Sequence, residues 1–208
     1  MTPLLNGAAP RRIDRYEVLQ RLAKGGMAEL YLARQVGLEG FEKLVVLKWI
    51  LPQLASEAEF VAMFLDEARI AAKLNHPNIV QIYDLGRAEG SYYIAMEYVS
   101  GRNAQQLVRK VCVGDAFVPV PHACRIVADV CHALYYAHSR RDLDGTPLEI
   151  VHRDVSPQNV LIGFVGQVKL VDFGIAKAAG KLAQTRAGML KGKYAYISPE
   201  QVQGKVAD

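Results

Sequence analysis

Strand-like runs fill the first half of the chain and helical periodicity dominates the second, which predicts an α+β fold. The expected arrangement is a five-stranded antiparallel sheet with one helix, followed by a mainly helical part. Three stretches carry this prediction: the Tyr-, Val- and Leu-rich run from Tyr16, the amphipathic run after Ser56, and the apolar face recurring between 122 and 138. With 208 residues and 51% hydrophobic content, the chain can bury a substantial core as one large domain or two small lobes. The 25 Lys and Arg against 21 Asp and Glu leave +4, too slight to argue for nucleic acid. Cys112, Cys124 and Cys131 are an odd set without paired metal-ligand spacing, which predicts reduced residues packed on helices and a cytoplasmic compartment. No stretch approaches the roughly 18 uninterrupted apolar residues of a membrane span, so no membrane segment is expected within the chain.

Residues 1–12, with Pro3, Gly7 and Pro10 and no periodicity, read as a flexible lead-in, and folding is expected from Ile13. Tyr16 to Leu22 and Glu29 to Arg34 read as a hairpin turning through Gly25 and Gly26, which could supply positive φ. Leu44 to Trp49 is the next strand and ends in Val-Val-Leu-Lys. Ser56 followed by Glu59 is a capping-box pattern that opens a helix. Its apolar stripe is Phe60, Phe64, Ala68, Ala71 and Ala72, and Glu67 lies beside that stripe, within reach of Lys48. A lysine at a strand end and a glutamate between Asp66 and Arg69 are otherwise ordinary solvated groups. Ile79 to Leu85 and Tyr92 to Glu97 complete the sheet, and Ser100 and Gly101 then break the pattern. Asn103 reads as a polar cap for the helix through Leu107. Helix 122–138 presents Ile126, Val127, Val130, Ala133, Leu134 and Ala137 as one apolar face. Val160 to Ile162 and Val168 to Leu170 suggest a short hairpin turning at Gly163 and Gly166.

Between the last helix and this hairpin stands VHRDVSPQNVL, residues 151–161, in which His-Arg-Asp precedes Asn159 by the spacing of a catalytic loop for phosphoryl transfer. Asp172-Phe173-Gly174 follows, and Ser198-Pro199-Glu200 stands where A-P-E closes an activation segment. Together with the loop LAKGGMAELY and the Val-Val-Leu-Lys strand, these are five motifs in order. By them the chain resembles the eukaryotic-like serine/threonine protein kinases of bacterial type. Pro157, between Asp154 and Asn159, is similar to the serine/threonine class and unlike the tyrosine class.

The resemblance implies a bilobal fold: an N-lobe over 13–97, a hinge over 98–103 and a C-lobe over 104–208, incomplete after Ser198-Pro199-Glu200. It implies ATP and Mg2+ as cofactors and Ser/Thr hydroxyls of protein substrates as acceptors, with self-phosphorylation in trans, and no nucleic-acid partner. Lys48 would orient phosphates with Glu67, Asp154 would take the substrate proton, and Asn159 with Asp172 would hold magnesium. Leu22, Ala23, Gly25, Gly26 and Leu30 would line the nucleotide, with Leu161, backbone groups of Glu97 and Val99 at adenine, and Asn103 near the ribose.

Three departures qualify this. Gly25 stands alone where the family has three loop glycines, Ala23 and Ala28 holding the outer places. Ser156 stands in place of the lysine two residues after the catalytic aspartate, and Lys193 in place of a threonine, an apparent exchange that would turn Lys193 toward Asp154. The sequence also stops before the remaining large-lobe helices. A basic segment carrying Lys177, Lys181, Arg186, Lys191 and Lys193 holds Thr185 as its sole Ser or Thr before Ser198, a candidate regulatory phosphosite whose phosphate, by the resemblance, Arg153 would bind. The rival reading is a nucleotide-binding pseudokinase, favoured by the depleted glycine loop.

Overall fold

A computed structural model describes residues 12–114, 116–173 and 194–203. The chain divides into two compact units, Met1–Ala68 with Gln81–Tyr98, and Arg69–Val80 with Val99–Asp208.

The first unit is built on an antiparallel sheet of six strands: β1 (Arg12–Ile13), β2 (Tyr16–Lys24), β3 (Ala28–Val36), β4 (Glu42–Ile50), β5 (Ile82–Ala88) and β6 (Ser91–Glu97). They are ordered β1-β2-β3-β4-β6-β5. Five of these are the strands expected from the sequence. The sixth is a two-residue edge in which Arg12 pairs with Glu17 and Ile13 with Tyr16. It forms because Ile13, only 1% exposed, has an apolar place to occupy beside Tyr16 and Val18. Alternation decides the faces of β4: Val45, Leu47 and Trp49 enter the core with Tyr93 and Ala95, so Val46 and Lys48 point the other way. The β2–β3 hairpin closes by Gly25 N–H donating to the Ala28 carbonyl at 2.9 Å. Neither Gly25 nor Gly26 has positive φ; the need for glycine at 25 is close approach, since a Cβ there would sit 3.2 Å from that carbonyl.

Helix α1 (Ala58–Ala72) follows a 3-10 turn at Pro52–Leu54. The Glu57 carbonyl accepts the first helical bond, from Val61, so the cap falls on Glu57 and not on Ser56. Phe64, Ala68 and Ala71 are buried as the stripe predicts, whereas Ala72 is exposed.

In the second unit β7 (Gly101–Asn103), β8 (Val160–Gly163) and β9 (Val168–Leu170) form a three-stranded antiparallel sheet. The β8–β9 hairpin turns at Gly166, whose φ of +92° favours glycine. The helices are α2 (Ala104–Val111), α3 (Val120–His138) and α4 (Pro199–Val202). Leu74, Ile79, Ala133, Ala137, Ile150, Val160 and Leu170 make this unit's core.

Several expectations change here. Ile79 and Val80 do not begin a sheet strand: they are buried in the second unit, where Ile79 bridges Leu170 and Val80 N–H donates to the Leu170 carbonyl. Val127 is 60% exposed, while Asp129, one turn from Ala133 on α3, is buried against Arg125 at 2.9 Å. Cys112, Cys124 and Cys131 are free thiols, and all three are exposed instead of packed. Among the described residues no helix is long and apolar enough to cross a membrane.

Candidate active site

The first unit holds Lys48, its partner Glu67 and the loop of Gly25 and Gly26. Lys48 on β4 and Glu67 on α1 meet at 2.5 Å, with side chains 15% and 14% exposed. The β3–β4 register opposes Leu30 to Lys48, and β2–β3 opposes Ala23 to Leu30, so Ala23, Leu30 and Lys48 form one row across three strands. Leu22 is 42% exposed, and Gly25 and Gly26 occupy the turn. The Glu97 N–H is spent on the Gln81 carbonyl at 2.9 Å, which removes that amide from any role toward adenine.

In the second unit the loop of residues 151–161 is a web of short-range bonds. The Asn159 amide Nδ2 donates to the Asp154 carbonyl at 2.8 Å and to its Oδ2 at 2.9 Å. That orientation turns the Asn159 Oδ1 away from Asp154. An amide oxygen and the Asp172 carboxylate are hard oxygen donors, the chemistry that suits magnesium. Val171 N–H donates to the Asn159 carbonyl at 2.9 Å, which ties the strand leading to Asp172 to the loop.

His152 is 1% exposed. Its Nδ1 accepts from the Asp154 N–H at 3.2 Å and its Nε2 lies 3.0 Å from the Val171 carbonyl. These partners assign the neutral ring with its proton on Nε2. Burial lowers the His152 pKa, opposed by the Val171 carbonyl and by the charges of Asp154 and Asp172. The ring packs on Phe173 with centroids 4.6 Å apart. Arg153 and Asp172 adopt positive φ of 60° and 56°, uncommon for non-glycine residues and held here by the surrounding bonds.

Ser156 is 4% exposed, and its hydroxyl has no hydrogen-bond partner among the described residues. Lys193, its suggested counterpart, lies outside the described residues, as do Gly174 and Thr185. Asn103 caps α2, accepting from Gln106 N–H at 2.8 Å while Gln106 Oε1 accepts from the Asn103 N–H at 3.1 Å. Leu161 sits in β8 between Asn103 and Lys169, and Val99 is buried just before β7.

Gln201 was not anticipated. Its Oε1 accepts from the Ser198 N–H at 3.2 Å and hydroxyl at 3.3 Å, and its Nε2 donates to the Arg153 carbonyl at 3.0 Å. The signal available in the sequence is the capping-box spacing Ser198-x-x-Gln201.

A protein kinase domain model matches residues 16–208. The chain belongs to the protein kinase family. It is 48% identical over 208 residues to the tyrosine-protein kinase MasK of Myxococcus xanthus, covering all of this chain and 31% of that protein. It is 40% identical over 204 residues to the serine/threonine-protein kinase PknB of Mycobacterium leprae, covering 96% of this chain and 30% of the relative. With the serine/threonine-protein kinase PrkC of Bacillus subtilis the identity is 36%, covering 93% and 28%. The chain thus spans less than a third of the length of these relatives. Among solved structures it is similar to the PknI kinase domain of Mycobacterium tuberculosis, with a TM-score of 0.69 and 32% identity, covering 97% of this chain and 68% of that one. The fold is therefore the protein-kinase fold, and the six-stranded sheet with α1 is its N-lobe part.

Proposed function

We propose that this chain is catalytic sequence of an ATP-dependent protein serine/threonine kinase that transfers the γ-phosphate to protein hydroxyls. The observation that carries the reading is the Lys48–Glu67 ion pair, which holds an ammonium in a largely desolvated place on the sheet. Lys48 orients the nucleotide phosphates and Glu67 fixes Lys48. Leu22, Ala23, Gly25, Gly26 and Leu30 cover the nucleotide, and the Glu97 carbonyl, Val99, Asn103 and Leu161 contact its adenosine end. Asp154 accepts the proton of the acceptor hydroxyl, and the Asn159 amide aims its carboxylate. Asn159 Oδ1 and Asp172 hold Mg2+, which when bound neutralises charge on the β and γ phosphates. Lys193 adds positive charge beside Asp154. Arg153 receives a phosphate on Thr185, placed there by a second copy in trans. The reading carries a cytoplasmic location for this domain.

Radiolabelled ATP given to the full-length protein with a protein acceptor is expected to label it. Asp154→Asn should lower the rate by about 10²–10⁴-fold, the contribution typical of a positioned general base. Equal label in both proteins would overturn the kinase reading and leave the nucleotide-binding reading favoured by Ala23 and Ala28. The acceptor class has its own test, because one relative is named a tyrosine kinase. Acid hydrolysis of the labelled acceptor should yield phosphoserine and phosphothreonine; phosphotyrosine alone would reassign the specificity.

A further inference from the structure

The peptide group joining Arg153 to Asp154 is gripped on both edges. Its N–H, on Asp154, donates to His152 Nδ1 at 3.2 Å, and its C=O, on Arg153, accepts from Gln201 Nε2 at 3.0 Å. The next carbonyl, that of Asp154, accepts from Asn159 at 2.8 Å. Two of these three grips come from within the loop. The third comes from a residue 48 positions later in the chain.

This peptide needs holding. Arg153 has φ +60°, a conformation that costs a residue with a Cβ about 1–2 kcal/mol and persists where neighbours over-determine it. Rotation of the 153–154 peptide toward ordinary φ would swing the Cα of Asp154, and its carboxylate with it. The Gln201 amide can be read in one orientation only. Its oxygen must face the Ser198 N–H, which can only donate, so its nitrogen faces the Arg153 carbonyl, which can only accept. The side chain therefore joins the end of the segment that closes at Ser198 to the backbone carrying Asp154.

We propose that Gln201 is a positioning residue for phosphoryl transfer: it holds the Arg153 carbonyl and so the aim of Asp154, making that aim depend on the ordered turn at Ser198. The inference rests on the kinase reading above and assigns Gln201 no contact with substrate or nucleotide.

The test uses the full-length protein with ATP and a protein acceptor. Gln201→Leu removes donor and acceptor, whereas Gln201→Glu keeps the shape and an oxygen for Ser198 but turns an oxygen toward the Arg153 carbonyl. Both should lower kcat about tenfold, the worth of one lost hydrogen bond of ordinary strength, with KM for ATP within about twofold. Ser198→Ala should lower kcat by less, and adding it to Gln201→Leu should cost nothing more, because Ser198 acts through Gln201. Titration with a fluorescent ATP analogue identifies folded variants. Unchanged kcat in folded Gln201 variants, fully additive losses in the double variant, or loss of folding in both Gln201 variants would each overturn the proposal. Absence of transfer by the unaltered protein is a different result: it overturns the kinase reading, and this one falls with it.

Discussion

In the first unit Lys48 reaches a carboxylate 19 residues away on a separate element. In the second unit Asp154 is held by His152 and Asn159, two and five residues away, through backbone and side chain together. The contrast is one of reach along the chain. A long-range pair between a strand and a helix is lost whole when either element shifts, so it can act as a switch. A web of several bonds loses them singly, so each loss moves the held group by less.

The largest effect that tests this contrast is at Lys48. Lys48→Met leaves Glu67 largely buried without that partner and removes the ammonium from the phosphates. Transfer should fall about 10²–10³-fold, measured as kcat for protein phosphorylation. Removing the one long-range grip on the 153–154 peptide, as in Gln201→Leu, should cost only about a tenth to a hundredth as much, because the short-range bonds remain. Equal losses at Lys48 and Gln201 would break the comparison, since one hydrogen bond to the loop backbone would then count for as much as an ion pair between two elements.

The same difference governs what the sequence made legible. Lys48 and Glu67 could be paired because strand alternation and helical spacing each fix a face, and two fixed faces can be brought together on paper. The β8–β9 hairpin and the Asn103 cap were legible for a similar reason, being local in chain. What escaped was burial set by distant partners. Ile79 looks like a strand residue, yet it is drawn to Leu170. Val127 lies on an apolar stripe, yet the buried side of α3 is rotated toward Asp129, Ala133 and Ala137. Gln201 was invisible as a support for Asp154 because its partner is a backbone carbonyl, and a carbonyl has no signature in a sequence.

A second test uses pH. All five histidines of the chain fall in the second unit, so acid should weaken that unit while the first responds little between pH 5.5 and 7. Burial lowers the pKa of His152, and of His76 with the charges of His132 and Lys169 adding to it. The sign follows directly. Above about pH 6.5 both folded and unfolded states are neutral at these positions, and nothing is lost. As pH falls below that value the unfolded state takes up protons that the folded state refuses, so stability declines down to the folded pKa and then levels. For His152 the slope approaches about 1.4 kcal/mol per pH unit at most. Urea unfolding at pH 7 and 5.5 should therefore show a smaller drop in His152→Asn than in the unaltered protein, with the His76 contribution common to both. An identical drop would mean that His152 is protonated in the folded loop, contrary to its acceptance of the Asp154 N–H.

The smallest effect concerns backbone strain at the entry to the catalytic loop. Glu149 has φ +48° and an exposed side chain, and Glu39 in the first unit has φ +53° and is exposed as well. Glycine relieves such a conformation but adds freedom to the unfolded chain, and the two terms leave a net gain of about 0.5 kcal/mol for each substitution. Glu149→Gly and Glu39→Gly should each raise the unfolding midpoint by about 1–2 °C. Their kinetics should separate. Residue 39 lies in a hairpin remote in sequence from the loop, so kcat should not change. Glu149 stands three residues before His152, and a more pliant backbone there tests whether the bonds of His152 and Asn159 suffice to hold Asp154 without a stiff approach. Unchanged kcat in Glu149→Gly supports a loop rigid by its own bonding. A fall confined to this variant would show that the approach to the loop shares the task, and that the second unit's redundancy extends to the segment ahead of it.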